Sequence, residues 1–378
     1  MTPRVSINRD IFDELFVLEI ANNHWGSLER ARSIVTDFSR VVRYNNVRAA
    51  LKLQFRDVDT FIHPKARNRT DVRYIKKTLD TRMSRDDFAN LIEHVKQSNC
   101  IPMATPFDEK SVEFCQELNL PIIKLASSDI NDWVLIEKIA KTKKPVIAST
   151  GGSSLKDMDD LVTFFENRGI PLALNHCVSL YPTEDHELEL NQIDFLRTRY
   201  PGITIGFSTH EYHDWASSIT IAYAKGARTF ERHVDIEADD IPVSPYCTLP
   251  DQCDKWFRAF NKVKEMCGPP GTQKRIPGHA EIEYLDGLVR GVYAARNLEA
   301  GHKLEEGDYF MAIPLLQGQL SCRELISGVM LAVPVAEGEP LKLESVDTPY
   351  SRNPGMRARV NSRGLPTESN GKSTVAAS

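Results

Sequence analysis

The sequence predicts a (β/α)8 barrel of the TIM type followed by a small β-rich domain. Eight short apolar runs, mostly rich in Val and Ile, recur at residues 16–22, 49–55, 101–106, 122–127, 145–150, 171–178, 204–209 and 228–233. Each is bounded by a turn or a polar cluster, as a strand buried on both faces of a parallel sheet should be. Segments with helical spacing lie between the runs. Eightfold alternation of strand and helix favours a closed barrel over an open sheet.

Taken in order, the run 16–22 leads into a helical pattern over 28–42. The run 49–55 opens the longest connection, which carries Arg56, Arg67, Arg69, Arg73, Lys76 and Lys77 before residue 101. Two readings stand for that connection: a solvated insertion with its own helices, or an active-site lid. The run 101–106 precedes a helix over 110–118, with Asp108 placed to cap it. After 122–127, an apolar stripe of Trp133, Leu135, Ile136, Ile139 and Ala140 predicts a helix over 129–141. The remaining runs complete a barrel domain over residues 1–265. Gly268-Pro-Pro-Gly271 and Ile276-Pro-Gly278 mark a linker over 266–286. Short extended pieces separated by Gly-containing turns fill 287–349, a size at the margin of independent stability. The polar stretch 350–378 is expected to be disordered.

Composition narrows the function classes. The 378 residues are 41% hydrophobic and 26% charged, ordinary for a soluble protein. A net charge of −5 provides no general attraction to nucleic acid or to an anionic membrane, so an anionic ligand must be held by local lysines and backbone amides. Seven cysteines, an odd number with no Cys-x-x-Cys pair, point to reduced thiols and a cytoplasmic protein. The first ten residues lack a hydrophobic signal core, and no apolar run approaches the ~18 residues of a membrane span.

The candidate chemistry sits at the ends of the runs. In order these carry Glu19 and His24, Lys52 and Gln54, Thr105, Lys124 and Ser127, Ser149 and Thr150, His176 and Ser179, Ser208 and His210, and Glu231 and His233. Lysines inside a barrel are costly unless an anion pairs with them. Two lysines and several hydroxyls at one rim point to a small phosphorylated or carboxylated ligand. Any one Ser or Thr here reads equally well as a turn or cap residue, and His176 reads as a satisfied core histidine. His210 and His233 stand 23 residues apart (233 − 210), room for one helical connection. On neighbouring strands their imidazoles would lie side by side, a plausible ligand pair for a divalent metal.

Glu19-Ile-Ala-Asn-Asn-His-Trp-Gly26, Lys52-Leu-Gln54, Ala104-Thr-Pro-Phe-Asp108, Lys124-Leu-Ala-Ser127, Ser149-Thr-Gly151, His176-Cys-Val-Ser-Leu-Tyr-Pro182, Gly206-Phe-Ser-Thr-His210 and Glu231-Arg-His233 occur in this order. The series resembles the motifs of the sialic acid (nonulosonic acid) synthase family over roughly residues 15–235, and segment 288–347 resembles that family's antifreeze-like SAF domain. The resemblance implies condensation of phosphoenolpyruvate with an open-chain aldehyde sugar, giving a 2-keto-3-deoxy sugar acid and phosphate. It places Lys52, Thr105, Lys124, Ser127, Ser149, Ser179 and Ser208 around phosphoenolpyruvate, with Gln54 and Tyr181 orienting substrate. His210 and His233 would hold a divalent ion, Mn2+ first, with Mg2+ or Co2+ as alternatives. Glu19, Asp129 and His210 are the implied catalytic residues. A homodimer with each SAF domain over the partner's barrel is also implied.

The sequence departs from the family pattern at two places. Ser244 falls where an aspartate is expected after the second metal histidine, with Asp239 or Asp240 as the candidate substitute. The segment Met311-Ala-Ile-Pro-Leu-Leu-Gln-Gly318 lacks the arginine expected to contact an acceptor's N-acyl group. The acceptor is therefore expected to be a different, unacylated sugar or another aldehyde. Two further readings are an aldolase or lyase acting on a related keto acid, and a non-catalytic phosphoenolpyruvate-binding homologue.

Overall fold

The computed structural model describes residues 9–366 except 70, 270, 272, 326 and 327. It divides into two compact units, residues 1–269 and 270–378. The first is a closed barrel of eight parallel strands in chain order. These are β1 (Leu15–Ala21), β2 (Arg48–Phe55), β3 (Ile101–Pro106), β4 (Ile122–Leu125), β5 (Val146–Ser149), β6 (Leu172–Cys177), β7 (Thr204–Thr209) and β8 (Thr229–His233). β1 pairs with both β2 and β8, which closes the ring.

The period of two along each strand sorts the side chains. Phe16, Leu18 and Ile20 on β1, with Leu51, Leu53 and Phe55 on β2, join a core packed between strands and helices. Leu15, Val17, Ala50, Met103, Ile122, Ile147 and Ala173 form a separate apolar cluster with Phe12. Two residues further along the same strands the inward series turns polar: Glu19, Lys52, Thr105, Lys124, Ser149 and Asn175, all buried. One end of the barrel is thus an apolar plug, and the carboxyl end of the strands is a polar chamber. Gly206 is required between them. A Cβ there would stand 1.8 Å from Thr229 Oγ1 and 2.3 Å from Asn175 Oδ1, a pair joined by a 2.5 Å hydrogen bond.

The helices follow their caps. Ser27 accepts from the Arg30 amide at the start of Leu28–Asn45, and Asp108 accepts from the Ser111 amide before Glu109–Glu117. The helix expected over 129–141 begins only at Trp133, capped by Asp132. Asp129 instead lies in the 3-10 turn Ser127–Asp129 that follows β4. The cap decides the boundary, because the stripe at Leu135, Ile136 and Ile139 is satisfied by the shorter helix.

The barrel's last helix, Pro250–Cys267, runs into the segment expected to be linker, and a second helix, His279–Asp286, occupies its far end. The second unit contains two antiparallel pairs, β9 (Gly291–Ala294) with β10 (Tyr309–Ala312) and β11 (Met330–Leu331) with β12 (Val346–Asp347). They close over a core that includes Val292, Leu298, Leu320, Leu331, Leu341 and Val360. Val360 corrects the expected disordered tail: Pro349–Arg352 and Pro354–Asn361 are helical, capped by Thr348 and Asn353. Two caps and one buried valine order a segment whose composition is polar. Residues 367–378 of that expectation lie outside the described residues.

Candidate active site

The polar chamber is organised around two lysines and two glutamates. Strand register sets Glu19 of β1 opposite Lys52 of β2 on one side and His233 of β8 on the other. The Lys52 ammonium forms an ion pair with Glu19, lies 3.1 Å from Glu231 Oε1, and donates to Thr105 Oγ1 at 3.0 Å. Lys124 donates to Ser149 Oγ at 2.7 Å and to the Leu125 carbonyl at 3.0 Å, with Glu231 Oε2 at 3.9 Å. Both lysines and both glutamates are buried. The anion expected to pair with the lysines is therefore supplied in part by the protein itself. Burial opposes ionisation of Glu231, but Lys124 and Lys52 hold its carboxyl below the ordinary range. Burial lowers Lys52 to about 8, against the pull of Glu231. Glu231 Oε2 has no hydrogen-bond partner. The cluster is held in place but not saturated, a state that leaves capacity for a ligand.

Beside it lies a seat of small groups. The Gly151 amide donates to Ser127 Oγ at 3.1 Å, and a Cβ on Gly151 would stand 2.1 Å from Ser179 Oγ. Ser127, Gly151 and Ser179 thus converge from three successive strand ends. Ser208 is buried, opposite Glu231 in the β7–β8 register.

The two histidines are neighbours, with ring centroids 5.4 Å apart. Burial holds His210 at about 4 and His233 well below its usual value, so both imidazoles are neutral at pH 7. His210 Nδ1 bonds to the Val178 carbonyl at 3.0 Å, which commits one nitrogen and leaves Nε2. His233 Nδ1 is buried without a hydrogen-bond partner. Neutral, pre-oriented imidazoles with uncommitted nitrogens fit a divalent transition ion. Among the described residues no group of three or more His, Cys, Asp or Glu side chains could hold a metal ion. Tyr181, before a cis proline, packs on His210 at 3.9 Å between centroids, and Tyr246 stands 5.3 Å from His233.

Asp129 and Gln54 sit apart from this cluster, near Arg56. Burial raises the Asp129 carboxyl, Ser128 hydrogen-bonds its Oδ1, and its buried Oδ2 is unpartnered. Arg56 lies 3.7 Å from the Phe107 ring centroid and donates to Gln54 Oε1 at 3.0 Å. His176 is a core residue: its Nε2 bonds to the Leu188 carbonyl at 2.8 Å. All seven cysteines are free, five of them buried. Burial raises the Tyr246 hydroxyl, and the neighbouring Ser244 side chain opposes that shift. Asp239 is exposed and faces Arg30, and Asp240 is exposed, so neither takes a place in the chamber.

Glu231, named among the polar strand ends, and Arg56, named in the long connection, both lie in the site region, although the sequence assigned neither a specific chemical role. The available signal for Glu231 was its spacing of two from His233 on one strand, which turns both side chains the same way.

Fold and site together define a TIM-barrel protein whose polar face lies at the carboxyl end of its strands, followed by a SAF domain. The chain belongs to the NeuB family, which matches residues 46–269, and the SAF domain matches residues 289–347. It is 28% identical to the N-acetylneuraminate-9-phosphate synthase of Drosophila melanogaster, over 90% of this chain and 98% of that protein. It is 26% identical to the N,N'-diacetyllegionaminic acid synthase of Campylobacter jejuni, over 78% and 88%. A crystal structure of a spore coat polysaccharide biosynthesis protein E from Chromobacterium violaceum superposes with a TM-score of 0.85 at 35% identity, covering 89% of this chain and all of that one. No described helix is long and apolar enough to cross a membrane.

Proposed function

We propose that this protein condenses phosphoenolpyruvate with the open-chain aldehyde of a sugar, giving a 2-keto-3-deoxy sugar acid of the nonulosonic type and phosphate. The observation that carries this reading is the pair of buried lysines, Lys52 and Lys124, ringed by hydroxyls and set beside two neutral imidazoles in one chamber. Relatives named for synthesis of N-acetylneuraminate-9-phosphate and N,N'-diacetyllegionaminic acid support the reaction class.

The residues divide the work. Lys52 and Lys124 neutralise the phosphate and carboxylate of phosphoenolpyruvate, with Thr105, Ser149 and Ser208 completing its hydrogen bonds. Ser127, Ser179 and the Gly151 amide form a seat for one of those anionic groups. Gln54 and Tyr181 orient the acceptor. C3 of phosphoenolpyruvate bonds to the aldehyde carbon, the aldehyde oxygen takes a proton, water adds at C2, and phosphate leaves. Glu19 and Asp129 are the groups available for proton transfer, Asp129 with its carboxyl raised by burial. His210 and His233 would hold a divalent ion, Mn2+ foremost, which would supply Lewis acidity at the acceptor.

The test is phosphate release from phosphoenolpyruvate with Mn2+ across a panel of aldehyde sugars, with and without N-acyl groups. Release should require an acceptor, and His210→Ala or His233→Ala should abolish it with the circular dichroism spectrum unchanged. Phosphoenolpyruvate binding with no release from any acceptor would sink the reading.

A further inference from the structure

The two strand ends that carry His210 and His233 are joined by a buried ion pair to which the proposed reaction gives no part. β7 and β8 are neighbours, with Thr209 opposite Arg232. Arg232 stands between Glu231 and His233 in the chain, so it turns away from the chamber that those two face. Its guanidinium lies 5.8 Å from the Trp256 ring centroid, toward the helix Pro250–Cys267. Glu211, the residue after His210, meets it there.

Every arm of the guanidinium is used. Arg232 Nη1 donates to Glu211 Oε1 at 2.5 Å, and Nη2 donates to the Glu211 carbonyl at 2.7 Å. Nε donates to Thr248 Oγ1 at 2.8 Å. Thr248 closes the circuit, because its amide donates to the His233 carbonyl at 2.8 Å. The Thr209 and Ser218 hydroxyls donate to the Glu211 carboxylate. Glu211 and Arg232 are each 1% exposed. Burying such a pair costs desolvation that its attraction does not dependably return, and an apolar pair of similar volume often folds as well. Stability alone therefore gives no reason for it. Geometry does: a planar fork that grips one residue by both side chain and carbonyl fixes direction as well as distance. That residue adjoins one histidine, and the fork's own residue adjoins the other. His210 is held from its far side as well, where Nδ1 bonds to the Val178 carbonyl at 3.0 Å and its own carbonyl accepts from the Thr183 amide at 3.1 Å. The 5.4 Å between the two ring centroids thus rests on bonds made outside the chamber.

We propose that Arg232 and Glu211 are positioning residues, which set the spacing of the His210 and His233 imidazoles for a divalent ion and touch neither ion nor substrate. The inference rests on the metal site proposed above. Two imidazoles bind one ion together only when both nitrogens reach it at once, so looser strand ends forfeit the second ligand.

The test is calorimetric binding of Mn2+ and Co2+ to the full chain, with urea unfolding of the same proteins free of metal. Removing one partner would strand a buried charge, so the informative variant is Glu211→Leu combined with Arg232→Met, which leaves neither. It should fold, and its Mn2+ affinity should fall about tenfold to a hundredfold. Phosphoenolpyruvate affinity without metal should be unchanged, which separates lost spacing from general damage. Arg232→Lys keeps the charge but not the fork, so it should fold and lose part of the same affinity, and it decides the matter if the double variant does not fold. Unchanged Mn2+ affinity in the deciding variant overturns the proposal, as does an equal loss of phosphoenolpyruvate affinity. An unaltered chain that binds neither ion defeats the metal site and this inference with it. Binding that is equal in the unaltered chain and the variant defeats this inference alone.

Discussion

At the scale of single residues, the chamber depends on how charge is buried. Lys52 stands between Glu19 and Glu231, so none of the three is tolerable alone in that position. The imidazoles respond in the opposite way, by giving up their protons. Burial, aided by the charge of Lys77, holds His24 at about 4, and burial holds His210 at about 4. Both values lie below the unfolded value of 6.5. Between these limits the unfolded chain binds protons that the folded chain refuses. The stability concerned is present above pH 6.5 and is lost as pH falls toward 4. By pH 5 each imidazole should cost roughly 2 kcal/mol. Urea unfolding of chelator-treated protein at pH 7 and pH 5 reads that loss, and His24→Gln should remove roughly 2 kcal/mol of it. A stability independent of pH across this range would show that the imidazoles are not desolvated in the native protein.

At the scale of elements, strand ends and short turns deliver the chemistry. The turn after β5 brings the Gly151 amide between Ser127 and Ser179, and no side chain fits there. Gly151→Ala should push Ser179 aside, weakening phosphoenolpyruvate binding about tenfold or more. Ser179 is exposed and can move, so the thermal midpoint should hardly change. Unchanged affinity measured by calorimetry would place the ligand elsewhere. Much of this scale was legible in the sequence, because a buried strand is an apolar run and its polar end stands out. Residues 101–106 and 204–209 coincide with β3 and β7. Asp129 was misplaced into a helix because the apolar stripe beyond it reads the same whether the helix starts at 129 or at Trp133. Only the Asp132 side chain, bonding the Leu135 amide at 3.0 Å, decides.

At the scale of the whole molecule, the chain is two units, each with its own buried core. Lys274 and Arg275 are exposed just past the division. Brief trypsin treatment should cut there first and release a barrel fragment that still binds phosphoenolpyruvate, read by mass spectrometry and calorimetry. Loss of binding on that single cut would mean that the second unit contributes to the phosphoenolpyruvate half of the site.

The sequence by itself determined the alternation of strands and helices, the polar strand ends and the two histidines at helical-connection spacing, because each is a local pattern. Tertiary structure alone decided which of those polar groups meet. Closure of the ring sets β8 against β1, and only then do Glu19, Lys52 and His233 fall side by side, with Glu231 within reach of both lysines. Tertiary packing also separated His176, bonded into the core, from His210 and His233 in the chamber. The three are alike in sequence context, and the difference lies in which carbonyl or open space each ring faces after folding.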